Sequence, residues 1–189
     1  MEAHGLTGGP DGISIIRDVD LRIAGPERVA LTGPNGSGKT TLLRLLTGAL
    51  LPTSGFVRVT PRHALLDQQV ALLNPSVTIR DNYLRLNPAD TENACRAALA
   101  RFTFRAEASL RRVGTLSGGE MLRAGLAITI GSSQPPELLI LDEPTNHLDL
   151  DAIAAVEAGL RAYDGALLIV SHDRAFLDAI GVTREIVLK

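Results

Sequence analysis

The sequence predicts an α/β fold in which a largely parallel β-sheet is flanked by helices and carries an inserted helical subdomain. Three observations support this prediction. Short apolar runs alternate with amphipathic stretches along much of the chain, a pattern typical of a parallel sheet covered by helices. Two of the runs are continuously apolar, as strands buried on both faces are. Residues 74–133 contain several helix-like stretches and no run of that kind.

The first elements of the core follow from their patterning. Residues 19–24 alternate between apolar and polar types, which predicts a half-buried strand. Residues 28–32 form a second, more apolar strand that leads directly into a glycine-rich turn. Residues 40–50 contain five leucines at spacings that suit a helix packed on a sheet.

The inserted segment and the last core elements come next. A helix is predicted over 91–104 and another over 120–130, and Pro135 and Pro136 end the inserted segment. Residues 138–141 and 166–170 are the two buried strands, and 151–163 has helical spacing between them. The prediction is one domain over 1–189, with its core at about 1–73 and 134–189 and the helical subdomain at about 74–133.

Composition excludes several classes of protein. The chain has 189 residues and a formal net charge of −2, which does not predict general attraction to nucleic acid or anionic membranes. A single cysteine, Cys95, excludes an internal disulfide framework and is typical of a reducing compartment. We find no secretory signal in residues 1–12 and no apolar run of the ~18 residues that a membrane helix needs. We therefore expect a cytoplasmic protein without direct membrane insertion.

Residues 33–40 read GPNGSGKT, the pattern of a phosphate-binding loop in a P-loop NTPase core. Glycines let successive backbone N–H groups point inward at phosphate oxygens, and the following helix directs its free N–H groups to the same anion. Lys39 supplies a charge for the β- and γ-phosphates, and the Thr40 hydroxyl can ligate Mg²⁺. The candidate nucleotide-binding residues here are Gly33, Pro34, Asn35, Gly36, Ser37, Gly38, Lys39, Thr40 and Thr41.

Two adjacent carboxylates follow the first buried strand. Ligands of open α/β sheets bind at the carboxyl ends of strands, so Asp142 and Glu143 are predicted to lie beside the phosphate loop. Asp142 is placed to hold Mg²⁺, directly or through water, and Glu143 to polarise or deprotonate the attacking water. The alternative is a solvated acidic turn, which the nearby phosphate loop disfavours.

His172 follows the second buried strand and is predicted to lie near the γ-phosphate. A lone histidine in this position is more often structural. The phosphate loop and the acidic pair favour a γ-phosphate sensor.

Residues 116–120 read LSGGE and open a stretch with helical spacing. A serine and two glycines ahead of a helix make a second anion-binding N-terminus. Because one ATP needs only one phosphate loop, a second such site suggests a shared role. The alternative is an ordinary helix cap with flexible glycines.

Taken together and in this order, these motifs resemble the ABC ATPase family over nearly the whole chain. The resemblance implies that Ser117, Gly118 and Gly119 bind the γ-phosphate of ATP held by a second ABC ATPase domain, so that two domains enclose two nucleotides. It implies that Gln68 contacts Mg²⁺ and the attacking water, with Gln69 as the neighbouring candidate. Asp149 is expected to cross the interface between the domains.

Finer matches resemble the ABC-F branch, most closely its second ATPase domain. The matches to the branch are DEPTNHLD at 142–149, the glutamate at 120 and SHDRAFL at 171–177, and the likeness to the second domain comes from RFTFR at 101–105, ahead of the LSGGE segment. ABC-F proteins carry two ATPase domains on one chain, many act on the ribosome, and some protect it from antibiotics. Two alternatives stay open: the ATPase subunit of a membrane transporter, and a nucleotide-gated binding module with little turnover alone.

The chain departs from this pattern in two ways. It contains one ATPase domain and no interdomain linker, which suggests a fragment or a product that depends on a partner. The first aromatic residue is Phe56, so the usual aromatic contact to adenine ahead of the phosphate loop is missing, and adenine is expected to rest on an aliphatic group or on a residue outside this sequence.

Five arginines concentrate around the inserted helices. They form either a ribosomal RNA footprint or a solvated basic face: Arg101, Arg105, Arg111, Arg112 and Arg123.

Overall fold

A computed structural model describes residues 1–67, 69–146 and 148–189, and within these it contains eight β-strands and six α-helices. The strands are β1 (Glu2–Gly8), β2 (Ile16–Arg22), β3 (Arg28–Thr32), β4 (Ser54–Arg58), β5 (His63–Leu66), β6 (Leu138–Asp142), β7 (Ala166–Val170) and β8 (Arg184–Val187). The helices are α1 (Lys39–Leu46), α2 (Ile79–Leu86), α3 (Glu92–Arg101), α4 (Gly118–Thr129), α5 (Leu150–Arg161) and α6 (Arg174–Ala179).

The central element is a five-stranded parallel sheet in the order β5-β6-β7-β3-β8. Its pairing is regular; Leu139 of β6, for example, lies opposite Leu167 of β7. The predicted α/β fold with helices around a largely parallel sheet is confirmed. Because β3, β6 and β7 are adjacent and parallel, their carboxyl ends lie together at one edge of the sheet.

Alternate residues of the buried strands serve two separate hydrophobic cores. Leu139 and Leu167 point into a core shared with α5 and with the inserted helices α2, α3 and α4. Leu138 and Leu168 point into a second core that contains the leucines of α1. This two-sided burial explains why β6 and β7 are continuously apolar in the sequence.

A three-stranded antiparallel sheet in the order β2-β1-β4 packs on the second core. The sequence predicted only a strand at 19–24, whereas β2 begins at Ile16 and ends at Arg22. The strand β1 escaped prediction because it contains Gly5, whose φ is 55°, and because register shifts interrupt its alternation.

Several helix boundaries differ from the predicted ones. The helix α1 ends at Leu46 and is followed by a turn at Gly48, whose φ of 76° no helix accommodates, so the predicted extension to residue 50 is wrong. The helix α3 ends at Arg101, before Thr103 with a φ of 72°. The helix α4 begins at Gly118, two residues earlier than predicted.

Threonine and serine side chains begin the inserted helices. Thr78, Thr91 and Ser117 each accept a hydrogen bond from a backbone N–H in the first turn of α2, α3 and α4. Among the described helices, none is both long and apolar enough to cross a membrane.

Candidate functional site

The carboxyl ends of β3, β6 and β7 surround a cavity of about 440 Å³. The phosphate loop follows β3, Asp142 ends β6 with Glu143 directly after it, and His172 comes two residues after β7. Residues from three distant parts of the chain therefore meet at one edge of the sheet. The lining comprises Ile15, Asn35, Gly36, Gly38, Lys39, Thr40, Thr41, Asp142, Glu143 and Val170.

The phosphate loop requires glycine at two crowded positions. Gly33 has a φ of 143°, and a Cβ there would lie 2.4 Å from the backbone oxygen of Leu188. Gly38 has a φ of 94°, and a Cβ there would lie 2.8 Å from Cγ2 of Ile15. The chain can thus curl tightly and enter α1 at Lys39, and the first residues of this helix, Lys39, Thr40 and Thr41, line the cavity.

The Lys39 side chain lies across this loop. Its ammonium donates hydrogen bonds to the backbone oxygens of Gly33, at 2.8 Å, and Pro34, at 3.0 Å. Lys39 is only 9% exposed, so the positive charge is held inside the loop rather than extended into solvent. The Ser37 hydroxyl is buried, and it has no hydrogen-bond partner among the described residues. A glycine-rich loop at a helix N-terminus that holds a lysine ammonium fits a polyphosphate.

Thr40 and Asp142 provide two hard oxygen atoms at one point. The Thr40 hydroxyl donates to Oδ2 of Asp142 at 3.1 Å, and Asp142 is 7% exposed. Burial raises the pKa of Asp142, and the hydrogen bond from Thr40 acts in the opposite direction. Hydroxyl and carboxylate oxygens are the ligands that Mg²⁺ prefers, so these two residues fit that ion.

Glu143 has a strained backbone, and its carboxylate lies close to His172. Its φ of 50° is uncommon for a residue with a side chain, and its N–H donates to the backbone oxygen of Val170 at 2.9 Å. Nε2 of His172 lies 3.3 Å from Oε1 of Glu143. Strained residues concentrate at functional sites, so this outlier supports a functional role for the carboxylate.

The LSGGE segment borders a different cavity from the phosphate loop. Gly118 lines a smaller cavity of about 110 Å³, whose other walls include Asp142, Glu143 and Leu148. Gly119 packs closely, because a Cβ there would lie 3.1 Å from Cδ2 of Leu148. Ser117 is the N-cap of α4, in a reciprocal capping box with Glu120. Within the described part of one copy, Ser117, Gly118 and Gly119 do not line the cavity in front of the phosphate loop.

The remaining predicted residues are Asp149, Gln68 and its neighbouring candidate Gln69. Asp149 is the N-cap of α5, and its Oδ1 accepts a hydrogen bond from the Ala152 N–H at 2.7 Å. Gln68 lies outside the described residues. Gln69 is exposed in a turn.

Sequence reasoning missed two contributors to the site. Ile15 is 42% exposed and lines the cavity beside Gly38. It is an aliphatic residue of the kind expected to contact adenine in place of the missing aromatic residue. The signal was the cluster of isoleucines at 13, 15 and 16 in an otherwise glycine-rich segment.

The second contributor is Glu185, which contacts the residue directly before the phosphate loop. Thr32 precedes Gly33 and donates to Oε1 of Glu185 at 2.5 Å, and Glu185 also accepts two hydrogen bonds from Arg174. Nothing in the local pattern around residue 185 indicates this contact, since Thr32 and Glu185 are 153 positions apart.

Comparisons with known proteins agree with this geometry. Residues 16–146 match the ABC transporter family. The chain is 36% identical over 184 residues to the energy-dependent translational throttle protein EttA of Mycobacterium tuberculosis, covering 94% of this chain and 33% of the relative. It is 39% identical over 167 residues to the tylosin resistance ATP-binding protein TlrC of Streptomyces fradiae, covering 87% and 30%.

A third relative is the ATP-binding protein Uup of Haemophilus influenzae, 40% identical over 173 residues, with 88% of this chain and 26% of the relative covered. All three relatives are ABC-F proteins. The chain spans about a third or less of the length of each.

Proposed function

This chain belongs to the ABC transporter family, as an ATPase domain of the ABC-F type, and we propose that it binds Mg-ATP and hydrolyses it to ADP and phosphate. The observation that carries the proposal is that the phosphate loop, Asp142 and Glu143 line one cavity at the carboxyl edge of the sheet, with His172 3.3 Å from Glu143.

Nucleotide binding would rest on the loop at residues 33–41. Its backbone N–H groups and those of the first turn of α1 would donate hydrogen bonds to phosphate oxygens, and the Lys39 ammonium would exchange its two carbonyl partners for phosphate oxygens. Ile15 would contact the base or the ribose through its exposed aliphatic side chain.

Thr40 and Asp142 would hold Mg²⁺, with Gln68 proposed as a further ligand. The ion would neutralise developing charge on the β- and γ-phosphate oxygens. The Thr40–Asp142 hydrogen bond keeps the two oxygen atoms together before an ion arrives.

Glu143 is proposed to polarise or deprotonate the attacking water. Its side chain is 14% exposed, so the carboxylate is largely shielded and keeps a fixed direction. His172, 3.3 Å from that carboxylate, would orient it and contact the γ-phosphate. No covalent intermediate is needed, because positioning and charge stabilisation carry this reaction.

The site is proposed to be completed by a second ABC ATPase domain. Ser117, Gly118 and Gly119 begin a helix whose N-terminus suits an anion, yet in one copy they do not line the phosphate-loop cavity of the described residues. If two domains pair head to tail, these residues reach the γ-phosphate held by the partner. Asp149, at the start of α5, would lie at the same interface.

The relatives suggest the biological setting. One is named for throttling translation and another for tylosin resistance. We propose that this domain belongs to a protein that acts on the ribosome in translation or in antibiotic resistance. Two of the five arginines offered as an RNA footprint are already engaged, since Arg111 pairs with Glu120 and Arg123 lies over Phe104. Arg101, Arg105 and Arg112 remain candidates for RNA contact.

The test uses the Glu143→Gln variant and light scattering with and without Mg-ATP. Because the variant retains the binding residues and lacks the proposed base, we expect ATP to stabilise a closed dimer and turnover to be lost. The matched control is Lys39→Ala, for which calorimetric titration should show weakened ATP binding. Unchanged turnover in Glu143→Gln would contradict the role of the glutamate, and unchanged affinity in Lys39→Ala would contradict the assigned phosphate site.

A further inference from the structure

Arg111, Glu120 and Ser117 form one hydrogen-bonded network at the start of α4. The guanidinium of Arg111 donates to both carboxylate oxygens of Glu120, from Nη1 to Oε1 and from Nη2 to Oε2, the latter at 3.1 Å. The same Oε2 accepts the Ser117 backbone N–H at 2.9 Å, and the Ser117 hydroxyl accepts the Glu120 N–H at 3.2 Å. Glu120 thereby fixes the conformation of Ser117.

The carboxylate of Glu120 conflicts with the role proposed for this helix end. An anion in the first turn favours a free helix, but it repels a phosphate that must bind at the same N-terminus. Hydrogen bonding from Arg111, together with the Ser117 N–H, lowers the pKa of Glu120 to about 2, so the carboxylate is charged at neutral pH. Its charge has to be compensated for the helix end to accept an anion.

The backbone of Arg111 is anchored before any nucleotide arrives. Its carbonyl oxygen accepts the Ile79 N–H at 3.1 Å, and the Val113 N–H donates to the Val77 oxygen at 3.1 Å. A further backbone bond joins Gly114 to Pro75 at 2.9 Å. Residues 111–114 are therefore paired with residues 75–79, and the guanidinium starts from a fixed point rather than from a free loop.

We propose that Arg111 is a positioning residue for nucleotide, which holds the Glu120 carboxylate on the Ser117 N–H and cancels its charge so that residues 117–119 can accept the γ-phosphate of ATP bound to the opposing domain. This inference rests on the proposed pairing of two domains. It assigns to Arg111 a role in closing the dimer and none in binding ATP at the phosphate loop of its own chain.

The experiment compares four chains that all carry Glu143→Gln: the parent, Arg111→Gln, Glu120→Gln, and the double variant at 111 and 120. Light scattering measures the Mg-ATP concentration that gives half of the closed dimer, and calorimetry measures ATP binding to the monomer. Glutamine at 120 keeps the capping box, because its side-chain oxygen still accepts the Ser117 N–H. Thermal unfolding checks that all four chains fold.

We expect Arg111→Gln to raise the half-closing concentration about tenfold, because the Glu120 carboxylate would then face the partner's γ-phosphate without a compensating charge. Glu120→Gln should close at the parent concentration or below, and the double variant should return to within about threefold of the parent, because the repelling charge is gone. ATP binding to the monomer should be the same in all four chains.

Three results would overturn the inference. If Arg111→Gln closes at the parent concentration, charge compensation is unnecessary. If the double variant closes as poorly as Arg111→Gln, the arginine has only a structural role. If the parent binds ATP but stays monomeric, the pairing of two copies of this domain fails and the role of Arg111 in closing such a pair fails with it, whereas a parent that does not bind ATP contradicts the proposed function itself.

Discussion

Asp149 allows helix capping to be separated from a role between domains. Its carboxylate accepts the Ala152 N–H at 2.7 Å, and Ala152 is 3% exposed. Replacing Asp149 with alanine removes this acceptor and leaves a buried N–H without its partner. We expect the free energy of unfolding to fall by about 1–2 kcal/mol. In a chain of 189 residues, each kcal/mol lowers the melting temperature by about 2–4 °C.

Asp149→Asn is the matched control, because asparagine caps helices about as well as aspartate. Its stability should stay within about 0.5 kcal/mol of the wild type. If the charge of Asp149 acts between domains, this variant should nonetheless need several-fold more Mg-ATP to close, since the charge is lost while the fold is kept. Calorimetric unfolding and light scattering measure the two effects on the same samples.

Two outcomes would refute this reasoning. If the alanine variant is as stable as the wild type, the hydrogen bond to Ala152 contributes nothing and the capping argument is wrong. If the asparagine variant matches the wild type in both stability and closure, Asp149 is a helix cap and the proposed role at the interface is withdrawn.

The remaining predictions concern distant contacts and pH. Arg28 donates to backbone oxygens at the ends of α5 and α6, so Arg28→Leu should lower the free energy of unfolding by about 2–4 kcal/mol, and chemical denaturation should show a smaller loss for Arg28→Lys. Glu185→Gln should weaken its hydrogen bonds with Thr32 and Arg174 and lower the denaturation midpoint slightly; an unchanged midpoint would contradict this. The pKa of Glu120 is about 2 in the folded chain, against an ordinary value of 4.5 for the unfolded chain. The ionised carboxylate therefore contributes fully to the stability of the fold above about pH 4.5, and this contribution is lost as the pH falls towards 2. The stability difference between the wild type and Glu120→Gln should therefore be constant from pH 8 to about 5.5 and should narrow below that; a difference that does not change with pH would show that the ionised carboxylate contributes nothing.

Local sequence patterns were sufficient to predict the strands that are surrounded by apolar side chains on both faces. The strands β3, β6 and β7 are buried on both faces, so their central positions are apolar, and the sequence predicted where the strands lie. The family and its ABC-F branch were also predictable, because the motifs occur in a specific order, and both are confirmed. The end of α1 was not predictable, because Gly48 adopts a left-handed conformation and interrupts an otherwise helical run of leucines.

By itself the sequence determined the α/β class, the phosphate loop and the order of the site motifs, because these depend on residue types within a few positions of one another. Only the tertiary structure decided which side chains from distant segments meet. Arg28 contacts carbonyl oxygens more than 130 positions away, and Glu185 lies under Thr32, which is 153 positions earlier. The physical reason is that a hydrogen bond or ion pair of this kind needs two groups within about 3 Å, and chain folding, rather than any local pattern, sets that separation.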